Sequence, residues 1–307
     1  MNTKTKAWIK AARLRTLPLA LSCIAMGGFL AAVYNRFSWP VMILSLLTTI
    51  FLQVLSNLAN DYGDSVSGVD GKSRQGPDRA VQSGLITLSE MKNAMILMSV
   101  LSFVTGILLI YLAFQDNWLQ ALVLLLIGIA AIYAAITYTA GKSPYGYMGL
   151  GDISVFVFFG LVGVMGSFFL HTGYLLQQIA LPAASCGLFA VAVLNVNNIR
   201  DIESDKVAGK RSIPVRIGRG KAVIYHWALL LLGFACTLVY VLMNFQGFLQ
   251  FGFVLAAPLL IVNARAVYQK RKAMELDPYL KQMAITTMLF VIFFGVSHLL
   301  QLTLVAA

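Results

Sequence analysis

Residues 39–64 read Trp39-Pro-Val-Met-Ile-Leu-Ser-Leu-Leu-Thr-Thr-Ile-Phe-Leu-Gln-Val-Leu-Ser-Asn-Leu-Ala-Asn60-Asp-Tyr-Gly-Asp64. The run carries no charge as far as Asn60, and then two aspartates arrive within one turn. An uncharged apolar stretch of this length predicts a membrane-spanning helix. Asn60 and Asp64 are four apart, so a helix puts both on one face with Asp61 one step round. Gly63 and Gly68 predict a break in the helix at this point. Carboxylates at a helix C-terminus face the negative end of the helix dipole, where a cation is preferred. The stretch therefore predicts a bound positive group. A solvated acidic loop is the bland alternative, but ionisable groups at the ends of membrane helices are usually functional.

Eight further apolar runs flank this one, at approximately 16–34, 91–113, 118–138, 151–171, 176–198, 222–243, 248–266 and 283–304. With 59% hydrophobic and 11% charged residues among 307, the expected fold is all-α. It is a polytopic membrane helix bundle of about nine transmembrane helices forming one domain over 1–307. With the N-terminus placed in the cytoplasm, 22 of the 23 Lys and Arg fall on the cytoplasmic side and only Arg36 falls outside. That asymmetry predicts a multi-pass protein of the cell (inner) membrane with its acidic helix ends facing the cytoplasm. The net charge of +11 is then a mark of topology, not of a nucleic-acid partner. Residues 1–13, with Lys4, Lys6 and Lys10 around Trp8 and Ile9, predict a helix lying at the cytoplasmic interface, and the apolar run that follows reads as a retained first helix and not a signal peptide. Cys23, Cys186 and Cys236 sit inside apolar runs, and the three histidines are scattered, so neither thiolate nor imidazole metal sites are expected.

The acidic helix end has a counterpart. Asn197, Asp201 and Asp205 close the sixth apolar run as Asn60 and Asp64 close the second, at an offset of 137 residues and four helices. An even number of helices preserves orientation, which predicts two parallel repeats, roughly 16–138 and 151–266. Asn197, Asp201 and Asp205 form a single stripe at i, i+4 and i+8. Basic residues follow both motifs: Lys72, Arg74 and Arg79 around Asp70 and Asp78 in the first, Lys206, Lys210 and Arg211 in the second. No Lys or Arg occupies the stripe positions themselves. Opposed carboxylates in a low dielectric repel unless neutralised. Oxygen-only ligands select hard cations, Mg2+ first, and Mg2+ usually shares its shell with phosphate oxygens. Nearby Lys and Arg complete a diphosphate site. There is no phosphate-loop or kinase pattern, so the economical ligand is a diphosphate ester whose tail lies in the lipid bilayer, such as an isoprenyl diphosphate.

Asn57-Leu-Ala-Asn-Asp-Tyr-Gly-Asp64, Gly68-Val-Asp70, Gly76-Pro-Asp-Arg79, Ser83-Gly84, Tyr138-Thr139, Gly149-Leu-Gly-Asp152 and Asn197-Asn-Ile-Arg-Asp201 span most of the chain. Together they resemble the paired aspartate-rich motifs of the UbiA superfamily of intramembrane aromatic prenyltransferases. Asp64 and Asp70 are six apart where the superfamily usually spaces these acids by four. The wider spacing is similar to the branch that prenylates 1,4-dihydroxy-2-naphthoate. That branch often reads Arg-Pro-x-Thr-Leu-Pro near the N-terminus, and here Leu14 replaces the first proline in Arg13-Leu-Arg-Thr-Leu-Pro18.

The resemblance implies Mg2+-dependent transfer of a polyprenyl group from polyprenyl diphosphate to 1,4-dihydroxy-2-naphthoate, with loss of CO2 and diphosphate, in menaquinone biosynthesis. Asn60, Asp64, Asp70, Asn197, Asp201 and Asp205 are the expected metal ligands, with Asp64 and Asp201 essential to catalysis. Asp61 and Asp152 are candidate general bases. Arg13, Lys72, Arg74, Arg79, Lys206, Lys210 and Arg211 are candidate anion contacts. Lys142 either holds the acceptor carboxylate or the diphosphate, or merely marks the inside. Tyr138 is the candidate aromatic face for an allylic cation. A different aromatic acid as acceptor is the nearest alternative. A cation-coupled transporter also fits parallel repeats with intramembrane charges. Against it, the acids here lie at helix ends and not at the midplane. A lipid-binding structural protein leaves the doubled acidic motif unexplained.

Overall fold

The computed structural model describes residues 2–67, 80–115, 117–141 and 143–306. Among the described residues there is no strand, and nine helical segments are long and apolar enough to cross a membrane. In chain order the helices are α1 (Thr3–Ala12), α2 (Leu17–Val33), α3 (Trp39–Val66), α4 (Leu88–Ala113) and α5 (Trp118–Thr137). They continue as α6 (Gly151–Thr172), α7 (Gln177–Arg200), the short α8 (Ile202–Val207), α9 (Ile213–Met243), α10 (Phe248–Gln269) and α11 (Ala273–Ala306). The protein is a multi-pass membrane protein.

α7 is the most buried of the spanning helices and α5 the least. Apolar side chains on all sides of α7, among them Phe189, Val193 and Val196, meet α2, α9 and α11. Polar groups within the bundle are tied to each other, because an unpaired one is expensive in hydrocarbon. His226 Nε2 on α9 donates to Asn263 Oδ1 on α10 at 2.9 Å, and Asn263 Nδ2 donates to the Tyr279 carbonyl of α11 at 3.0 Å. A second cluster joins α1 to the acidic end of α3: Ala7 and Ala11 pack with Leu55, Leu58, Ala59 and Met91. Lys4 of α1 pairs with Glu90, which also closes the capping box at Thr87 that starts α4. α1 is thus anchored to the bundle by packing and by charge.

Several helices outrun the hydrophobic stretches that predict them. α3 continues to Val66, α9 begins at Ile213 and α11 at Ala273. Hydropathy marks only the part of a helix that sits in hydrocarbon, and the backbone ladder continues where charges are solvated. α9 bends at Gly218, whose positive φ of 76° is open to glycine at little steric cost. The expected break at Gly63 is absent, for a reason that belongs to the site; Gly68 lies outside the described residues.

Candidate active site

The site is built from the acidic end of α3, the α7–α8 junction and the chain between α5 and α6. α3 passes straight through Gly63 because glycine is needed for close approach, not for a turn. A Cβ there would stand 2.4 Å from the Thr139 carbonyl oxygen. The segment after α5 therefore lies directly against α3, and Thr139 Oγ1 donates to the Ala59 carbonyl (3.0 Å) and to Asn60 Oδ1 (2.9 Å). Gly63→Ala is expected to push these segments apart at a cost of about 1–3 kcal/mol. A lowered melting temperature in detergent, with prenyl transfer falling in parallel, would check it.

Asn57 Nδ2 donates to the Ala12 carbonyl (2.9 Å) and to Thr16 Oγ1 (3.1 Å), which fixes the N-terminal turn against α3. From that turn Arg13 reaches Asp61 and forms an ion pair with it. The candidate anion contact and the candidate base are therefore joined to each other. Asp64, almost fully buried, accepts from Tyr147 Oη, and Lys210 Nζ lies 3.2 Å from its Oδ1. The same ammonium lies 3.6 Å from Asp205 Oδ1 and 4.7 Å from the centroid of the Tyr147 ring. One cation thus spans the first acidic motif and the second.

The second motif departs from a plain helical stripe. α7 ends at Arg200, Asp201 has φ −100° and ψ 11°, and α8 starts at Ile202. Backbone bonds from Asp201 N to the Asn197 carbonyl (3.1 Å) and from Asp205 N to the Asp201 carbonyl (2.8 Å) cross the junction. Helical spacing is therefore kept despite the bend, and the three side chains stay on one side. Asp201 accepts from Arg200 Nε (2.8 Å) and Nη2 (2.6 Å), and Asn197 Oδ1 accepts from Nη2 (2.8 Å). The stripe positions carry no cation of their own, yet Arg200 and Lys210 both turn onto them. Burial, with the charges of Asp201 and Asp64 adding, pushes the Asp205 carboxyl up to about 6 against the pull of Lys210.

Beneath the acidic end lies a cavity of ≈ 360 Å³ whose wall is mostly apolar, with Leu52, Ile110, Leu124 and Phe158 along its length. Asn57, Asn60 and Tyr138 line its acidic end, and Ser45 on α3 lines it far below. Fifteen residues of helix between Ser45 and Asn60 make the cavity about 22 Å long. Tyr138 caps α5 and meets Tyr145 edge to face, ring centroids 5.3 Å apart. Burial, with nearby carboxylates adding, raises the Tyr138 phenol above its ordinary value, so it stays a neutral donor. Asp152, second residue of α6, accepts from Tyr225 Oη at 2.9 Å.

Lys206 and Arg211 are exposed, and their side chains make no ion pair among the described residues. Asp70, Lys72, Arg74, Arg79 and Lys142 lie outside the described residues. Among the described residues no three His, Cys, Asp or Glu side chains converge as a ready-made metal cage. The donors that do converge, Asp64 and Asp205, are oxygen ligands around a position now taken by an ammonium. Their chemistry fits a hard divalent cation.

Sequence reasoning missed Arg200, Tyr225 and Asp277. Asp277 takes Arg200 Nη1 on one oxygen and Arg15 Nη1 on the other. Arg200 had a signal, a lone cation at the end of an apolar run directly beside a motif aspartate. Tyr225 had none, since tyrosines are common in such helices.

A multi-pass helical bundle, with paired acidic helix ends above a long apolar cavity, defines a membrane enzyme suited to a charged head and a lipid tail. The chain belongs to the UbiA prenyltransferase family, whose profile matches residues 20–288. It is 47% identical to a 1,4-dihydroxy-2-naphthoate octaprenyltransferase of Haemophilus influenzae over 98% of both chains. It is 44% identical to the protein of that description in Escherichia coli, over 94% of this chain and 95% of the relative. Among solved structures it is similar to a UbiA homolog from Aeropyrum pernix K1, with a TM-score of 0.69 and 17% identity over 94% of this chain and 99% of that one. A UbiA homolog from Archaeoglobus fulgidus, bound to DMAPP and Mg2+, gives 0.63 and 17% over 95% and 98%. At such identities the likeness to the archaeal proteins is one of fold.

Proposed function

We propose that this protein transfers a polyprenyl group from polyprenyl diphosphate to 1,4-dihydroxy-2-naphthoate, releasing diphosphate and CO2, with Mg2+ at the acidic end. The observation that carries the reading is the near full-length identity to two relatives of that description, 47% and 44%, together with Lys210 shared between Asp64 and Asp205. In this reading residues 1–307 form one catalytic domain, its two halves coming from repeats over 16–138 and 151–266. Asn60, Asp64, Asp70, Asn197, Asp201 and Asp205 are the oxygen ligands. Bound there, Mg2+ would neutralise the charge that grows on the leaving diphosphate.

The chain's own residues do the rest. Lys210 already bridges the two motifs and supplies positive charge at the diphosphate end. Lys206 and Arg211 are exposed beside it and available to phosphate oxygens. The apolar cavity takes the prenyl tail and keeps water from the allylic cation, whose charge meets the faces of Tyr138 and Tyr145. The naphthoate ring forms its new C–C bond at the carbon bearing the carboxylate as the prenyl C–O bond breaks. Loss of CO2 then returns an electron pair to the ring, so no ring proton has to be removed. Asp61, held by Arg13, and Asp152, held by Tyr225, fit positioning roles better than that of a base.

The deciding assay compares 1,4-dihydroxy-2-naphthoate with 4-hydroxybenzoate at fixed prenyl diphosphate, following prenylated product and labelled CO2 together. The bicyclic acid is expected to be turned over at least about tenfold faster, since one well-placed polar contact to an acceptor is worth that much. Faster turnover of the monocyclic acid without CO2 release would overturn the naphthoate reading and leave the diphosphate site standing.

The charge distribution supports a cell (inner) membrane protein with both acidic ends at the cytoplasmic face. Ser67 and Val207 are exposed beside the two motifs. Ser67→Cys and Val207→Cys are expected to react with a membrane-impermeant thiol reagent in inverted vesicles and not in intact cells. Labelling of either from outside intact cells would reverse the orientation.

A further inference from the structure

Arg200 ends α7 with its side chain only 2% exposed, so its donors must be met by protein. Nε and Nη2 go to the two oxygens of Asp201, Nη2 also to Asn197, and Nη1 to Asp277 Oδ1 at 2.6 Å. Asp277 is the fifth residue of α11, and its other oxygen takes Arg15 Nη1 at 2.7 Å from the turn before α2. Four charges therefore alternate in a line: Arg15, Asp277, Arg200, Asp201. A guanidinium does not shed its charge in proteins, so its pull is divided among the anions that face it.

We infer that Asp277 is a positioning residue for the acidic site, acting through Arg200 on Asn197 and Asp201. The inference rests on the reading that the second motif helps to hold a divalent cation. Arg200 takes one lone pair on each Asp201 oxygen and leaves a second on each for another cation. How well those lone pairs bind depends on how hard Arg200 draws on them. Asp277 takes part of that pull. Without its charge the whole guanidinium falls on Asp201 and Asn197, and their oxygens become poorer ligands. Without Arg15, both Asp277 oxygens turn to Arg200, and its hold on Asp201 slackens. The two substitutions act in opposite directions, which a strut between helices would not do.

The probe is Mn2+ alone, titrated into the purified full-length protein in detergent and followed by electron paramagnetic resonance. Melting temperature in chelator and the Mg2+ dependence of prenyl transfer are read alongside. Asp277→Asn is expected to weaken Mn2+ binding about tenfold. It should raise the Mg2+ concentration for half-maximal rate in step, while the rate at saturating Mg2+ recovers. Asp277→Glu should restore binding, and Arg15→Gln should tighten it about twofold. Weakening by both neutral substitutions, or no shift in Asp277→Asn, overturns the inference. If Asp277→Asn does not fold, Arg15→Gln decides by its sign. If the wild-type protein binds no Mn2+, the metal reading itself falls and the role of Asp277 falls with it.

Discussion

Asp64→Asn is expected to lower the rate of prenyl transfer by about 10²–10³-fold while the helices stay folded. The carboxylate is nearly completely buried and receives both Tyr147 Oη and the Lys210 ammonium, so it is where the two motifs meet. Asparagine keeps the shape and one accepting oxygen but removes the charge. Lys210 then keeps Asp205 as its carboxylate partner, and a cation placed between the motifs loses one of its carboxylate neighbours. Because the change is nearly isosteric, far-ultraviolet circular dichroism and elution volume in detergent should match the wild-type protein. Transfer of labelled prenyl groups at saturating Mg2+ is the measurement. Retention of more than about a tenth of the wild-type rate would remove Asp64 from the centre of the site.

Removal of divalent cations is expected to have a larger effect still. With excess chelator, transfer should fall to background, return with Mg2+ and return in part with Mn2+, the metals that oxygen ligands favour. Burial first, and then the charges of Asp201 and Asp64, already lift the Asp205 carboxyl to about 6 against the pull of Lys210. A diphosphate brought to the same place adds further negative charge. Two like unit charges 4 Å apart near a protein surface repel by about 4 kcal/mol. Lys210, already shared between two carboxylates, does not by itself offset that for a polyanion. Full turnover in excess chelator would mean that Lys210, Lys206 and Arg211 hold the diphosphate unaided, and the proposed chemistry would have to be rebuilt on them.

The bundle was legible because hydrocarbon imposes a simple code: long uncharged runs cross, and Lys and Arg stay inside. The second acidic motif was legible because it repeats the first at a fixed offset. What misled was the local reading of Gly63 as a helix breaker. Its real constraint is the Thr139 carbonyl lying across its α-carbon, 79 residues away from Asn60 in the pair that Thr139 makes. The same applies at Asp201. Spacing alone predicts one straight stripe, and the bend between α7 and α8, where Arg200 holds the Asp201 carboxylate, is visible only in the structure.

By itself the sequence determined the helical membrane class, the number and approximate limits of the spans, and the oxygen-only chemistry of the two acidic ends. Each of those depends on composition, periodicity or residue type, which are properties of short windows. The tertiary structure decided which charge faces which. Lys210 reaches Asp64, Arg13 takes Asp61, and Arg15 meets Asp277 across 262 residues of chain. In a low dielectric a buried charge is worth what its nearest neighbours make it, and those neighbours come from helices that no local pattern places side by side.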